Sequence, residues 1–130
     1  MNSRGLTIKD LEAKHAIEVA RSFVERQAEI MDAQIERNNA GGQNCAILEL
    51  PTHFSATNGV DSADMQLIIY SDLVSLYRGS IATGGKGFEK VHLDMRDMTK
   101  PKLIVRWNIG LSTDERQTRR SIIQAAQYKP

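Results

Sequence analysis

The chain has 130 residues, 41% hydrophobic and 25% charged, a globular composition with room for one core and neither a disordered nor a fibrous signature. No apolar run approaches a membrane span, MNSRGLTIKDLEAKH lacks the apolar stretch of a signal peptide, and the single Cys45 excludes an internal disulfide, so the expectation is a cytoplasmic protein with no membrane contact. The net charge of +1 conceals an asymmetry: residues 1–97 carry ten Lys/Arg against fourteen Asp/Glu, and residues 98–130 carry seven against two. A basic C-terminal quarter suits a polyanionic or acidic partner.

The first predicted element is a helix over 7–38. Thr7 can cap it, with Leu6 and Leu11 spaced as a hydrophobic staple. Ala13, Ile17, Ala20, Val24, Ala28, Met31 and Ile35 follow a 3.6-residue period, and Ala16, Val19, Phe23 and Ile30 widen that stripe. Such a rod, about 45 Å long, exceeds the diameter of roughly 36 Å of a compact domain this size. It must overhang, meet a second molecule or break, and Ser22 is the place for a break. A homodimer in which Ile17, Phe23, Val24, Met31 and Ile35 meet a partner is the preferred reading.

NCAILEL, residues 44–50, reads as a buried strand ended by Pro51, and 52–61 as a loop. MQLIIYSDLVSLYRG is open between a hairpin turning at Ser71-Asp72 and a strand followed by a helix. KVHLDMRD and KLIVRWNIG read as strands joined by MTKP, the second with Leu103, Val105, Trp107 and Ile109 on one face. Ser112 and Glu115 form a capping box opening a last helix over 113–127. The expectation is one α+β domain over 1–130, with a strand-rich middle over 44–109 and a mostly antiparallel sheet of four or five strands.

SIATGGKGFEKV, residues 80–91, is the one stretch that looks like chemistry. It fails as a P-loop, because Ser80 and Gly87 stand where that motif needs glycine and a hydroxyl. Gly84-Gly85-Lys86-Gly87 satisfies the G-x-x-G of KH domains, and Lys86-Gly87-Phe88 half of an RRM signature, both common patterns. A mobile basic turn is the plainer reading. Arg116, Arg119 and Arg120 present guanidinium forks that suit phosphates, and Lys86, Lys90, Lys100 and Lys102 extend them into one nucleic-acid-binding patch if the fold gathers them.

Catalytic arrangements are poor. Cys45 with His53, or His92 with Asp94, are the best pairings, and none has the spacing of a nucleophilic or metal motif. Trp107 reads as core. The sequence points to no enzyme, no catalytic residue, no metal and no cofactor.

The long amphipathic first helix and the basic ending QTRRSIIQAAQYKP give the whole chain a likeness to one family. It resembles the small core protein that assists genome packaging in enveloped double-stranded-RNA bacteriophages (cystoviruses). That resemblance implies a non-enzymatic accessory protein inside a virion, working with other proteins of the assembly, a polymerase and RNA, with a flexible tail past Pro130. The alternatives are a protein–protein adaptor that dimerises through its first helix without nucleic-acid contact, and a small hydrolase or metal-dependent enzyme.

Overall fold

The computed structural model describes residues 7–54 and 58–128. In chain order these form α1 (Ile8–Ala40), β1 (Cys45–Glu49), α2 (Ser62–Arg78), a 3₁₀ turn (Ile81–Thr83), β2 (Lys90–Asp94), β3 (Lys102–Arg106) and α3 (Thr113–Ala126).

No glycine or proline interrupts α1, and its 33 residues run unbroken past Ser22, a rod of about 50 Å. Burial begins near Val19 and Ala20, whereas Ile8, Leu11 and Ile17 are exposed. The start of α1 is therefore exposed, and it first meets the body at His15, whose Nε2 lies 3.3 Å from the Asn58 carbonyl. Leu6, the expected staple partner, lies outside the described residues. At the other end Gln43 N–H donates to the Asn38 carbonyl and Gly42 N–H to Asn39. Gly42 takes the left-handed φ of 81° that this Schellman stop requires. Asn38 Nδ2 donates to the Cys45 carbonyl, which fixes where β1 departs.

The middle of the chain departs from expectation. Residues 62–78 form one helix, neither a hairpin nor a strand followed by a short helix. Asp61 caps it by accepting from Ala63 N–H. Met65, Ile69, Leu73 and Tyr77 recur every fourth residue and are completely buried, the period of a helix face. Ser71 and Asp72 do not turn the chain, because Ser71 Oγ donates back to the Ile68 carbonyl and Asp72 faces solvent.

Among the described residues the sheet consequently has three strands, in the order β1-β3-β2, and every pairing is antiparallel. The two-layer arrangement follows from strand alternation. Ala46, Leu48, Val91, Leu103 and Val105 face inward onto α1 and α2 and are buried. β1 is thus half-buried rather than fully buried, with Ile47 on the open face. Pro101 closes the β2–β3 connection, buried, with its carbonyl accepting from Leu50 N–H. Trp107 is half-buried just past β3, its indole N–H donating to Asn39 Oδ1, while Ile109 is exposed and outside the strand.

α3 stands apart. Ser112 caps it through Glu115 N–H, yet no residue of the helix is buried and Ile122 and Ile123 are 63% and 60% exposed. Among the described residues no helix is long and apolar enough to cross a membrane.

Candidate nucleic-acid interface

The glycine stretch is a cap for α2, and its amides from Ala82 to Phe88 are all engaged. A helix leaves its last carbonyls without partners. Here the Ser75 carbonyl accepts from Gly79 N–H, Leu76 from Lys86, Tyr77 from Phe88 and Gly79 from Gly87. Gly84 and Gly85 N–H donate to Ile81 and Ser80. No amide from 84 to 88 is left to cradle a phosphate, so the stretch is a pinned turn and lacks the free backbone of a KH-type clamp. The glycines are needed for contact as well as conformation. A Cβ on Gly85 would lie 2.3 Å from the Gly79 carbonyl group, while Gly84 has a φ of 89° with open space around it.

Lys86 is held too. Its Nζ donates to Asp32 Oδ2 at 2.9 Å and lies 5.6 Å from the Tyr77 ring centroid. Tyr77 donates its phenol proton to Asp32 Oδ1 at 2.6 Å. Burial, then the Asp32 carboxylate, pushes that phenol well above its usual range. This triad ties the loop, α2 and α1 together, so part of the charge on Lys86 is already balanced.

Beside this loop opens a cleft of about 640 Å³, lined among others by Lys86, Phe88, Lys90, Arg106, Trp107 and Arg116. The sheet register explains its charge. On the open face three rows cross the strands: Glu49–Lys102–Asp94, Ile47–Ile104–His92 and Cys45–Arg106–Lys90. The first alternates in sign. The last sets two cations directly opposite each other, an arrangement that costs stability in a sheet. Among the described residues Lys90, Arg106 and Arg116 make no ion pair. Among the described residues Glu89 is the one carboxylate in the cleft lining.

The seven cations expected to form one patch therefore divide. Lys86, Lys90 and Arg116 share the cleft. Lys100 and Lys102 sit at the opposite end of the strands, beside Asp94, Arg96 and Asp97. Arg119 pairs with Glu115 at 3.2 Å along α3, and Arg120 does not line the cleft. Arg106 was not among the expected residues. Strand alternation could have placed it on the face of Lys102, but its neighbour Lys90 follows only from the register across residues 95–101.

At the neutralised end, the Arg96 guanidinium holds the Asp94 carboxyl down to about 2 against an ordinary 3.8, with Lys102 a minor contributor. A folded value below the unfolded one means that Asp94 stabilises the fold above about pH 3.8 and loses this effect as pH falls through about 2. In a carboxyl carbon NMR titration Asp94 should show a midpoint near 2, and Arg96→Ala should move it upward.

Of the pairings weighed for catalysis, Cys45 and His53 are separated, while His92 and Asp94 share the open face of β2, with Asp94 taken up by Arg96. Cys45 opens β1, and His53 follows its far end, where Tyr70 anchors the Pro51 carbonyl. His92 lies midway along the edge strand β2, in the row of Ile47 and Ile104. Among the described residues no three His, Cys, Asp or Glu side chains are grouped to hold a metal ion. Of the expected dimer contacts, Met31 is completely buried in the chain's own core, and Phe23, Val24 and Ile35 pack against it, Phe23 edge-on to Phe54. Ile17, 48% exposed, is the member of that set left to solvent. No known protein family, curated protein or solved structure matches this chain.

Proposed function

We propose that this chain is a non-enzymatic accessory module of a larger nucleoprotein assembly, and that it holds an RNA backbone in the cleft between the glycine turn, the sheet end and α3. One observation carries the reading: Lys90 and Arg106 face each other across β2 and β3 with no carboxylate between them, and Arg116 lines the same cleft. Cross-strand like charges oppose folding, and phosphates are the partner that would relieve them, releasing counterions as they bind. In this reading the assembly is the core of a double-stranded-RNA bacteriophage, as the sequence resemblance implies, and the module assists RNA packaging or the polymerase. The test is an amide NMR titration with a short RNA oligomer. Perturbations centred on Lys90, Arg106 and Arg116 support the reading; perturbations confined to the β2–β3 turn, or none, overturn it.

The exposed helices favour a second role alongside the first, contact with other proteins. Ile17 continues the stripe of Ala20, Val24 and Met31 toward the exposed start of α1, and a second copy meeting α1 there would cover it. Sedimentation velocity should then show a dimer that Ile17→Glu converts to monomer. A wild-type chain that is monomeric at its highest soluble concentration sinks the dimer.

A further inference from the structure

The cleft contains two aromatic rings as well as cations. Phe88 and Trp107 both line it, edge-to-face with centroids 6.1 Å apart. They are half-buried and pack against the core, whereas Lys90, Arg106 and Arg116 are exposed at the cleft's open side. Trp107 is also fixed in place, its indole N–H held by Asn39 Oδ1 at 2.9 Å and its backbone N–H by the Asn44 carbonyl at 3.1 Å. Core packing accounts for the buried part of each ring, and phosphates alone make no use of the part that lines the cleft. Bases do, because an unstacked base finds on an aromatic face the stacking it gave up.

From this geometry we infer that the cleft takes single-stranded rather than duplex RNA, with phosphates on Lys90, Arg106 and Arg116 and one base stacked on Trp107. The inference rests on the proposed function and narrows its ligand. A duplex keeps its bases stacked inside and presents phosphates on a convex surface. It can reach the exposed cations but not the half-buried rings. A splayed single strand reaches both. The volume of about 640 Å³ falls in the ordinary range of ligand pockets, ~300–1,000 Å³, so the cleft would grip a short segment of strand.

Trp107 is the single tryptophan of the chain, so its fluorescence reports on this cleft and on no other place. The wild-type chain would be titrated with a single-stranded RNA oligomer, the same sequence as duplex, and inorganic polyphosphate, while anisotropy of labelled RNA records binding independently. The expected result is strong quenching by the single strand, little by duplex or polyphosphate at equal occupancy, and roughly tenfold weaker single-strand binding in Trp107→Leu. Trp107→Phe, which keeps a ring, should retain most of the affinity and guards against a fold defect. Binding in anisotropy without quenching, or equal quenching by duplex, overturns the stacked base and leaves the phosphate contacts standing. Absence of binding in anisotropy removes the proposed function itself.

Discussion

Gly85→Ala is expected to lower folding stability by about 3 kcal/mol or more, the largest effect of a methyl group added at any described glycine. The added Cβ would sit 2.3 Å from both the carbonyl carbon and oxygen of Gly79. Both sides of that contact are backbone, so no side chain can rotate away. To relieve the overlap the turn must lift from α2, which releases the donors of Lys86, Gly87 and Phe88 from the Leu76, Gly79 and Tyr77 carbonyls. Buried backbone groups left without partners each add a penalty of roughly 1–3 kcal/mol. The neighbouring Gly84→Ala is the control. Its Cβ would meet nothing within 4 Å, so the cost is that of a left-handed φ alone, about 1–2 kcal/mol. Urea denaturation of the two variants should separate them clearly. Equal midpoints would mean that conformation, and not the close approach of Gly79 and Gly85, is why glycine occupies the turn.

The second large effect concerns which cations matter. Replacing Lys90, Arg106 and Arg116 together by glutamine should weaken RNA binding by on the order of 100-fold at moderate salt, since each charge-assisted phosphate contact and its released counterion are lost. Replacing Lys100 and Lys102 removes two charges against three, yet should change binding by less than about threefold. Those two lysines already face Asp94 and Asp97 at the far end of the strands. The contrast separates a shaped site from a general attraction of a basic protein for a polyanion. Folding of the triple variant should hold or improve, because it removes the repulsion between residues 90 and 106.

Much of this was visible in the amino acids, and what was hidden has physical causes. The course of α1, the strand at KLIVR and the Ser112 cap each rest on local signals that the fold leaves intact. α2 was legible in principle, since Met65, Ile69, Leu73 and Tyr77 keep a helical spacing. The β-branched pair Ile68-Ile69 and the turn-forming pair Ser71-Asp72 masked it. In the fold the ambiguity is removed by tertiary contact, with Tyr77 reaching Asp32 and Ala28 of α1. The close approach of Gly79 and Gly85 has no local signature, because it depends on the turn folding back over a helix end. The cleft is likewise a product of register. Lys90 and Arg106 lie sixteen positions apart and become neighbours only when residues 95–101 close the hairpin. Trp107, read as core, sits where the core meets the cleft, half in each.

The most direct test of the basic cleft is an anisotropy titration of labelled single-stranded RNA at a series of salt concentrations, with the wild-type chain and the Lys90/Arg106/Arg116 triple glutamine variant side by side. Three phosphate contacts predict that log K falls against log salt with a slope of about −2 for the wild-type chain, and that the slope approaches zero in the variant. Binding that ignores salt, or a slope unchanged in the variant, would contradict the account and return attention to the exposed faces of α1 and α3.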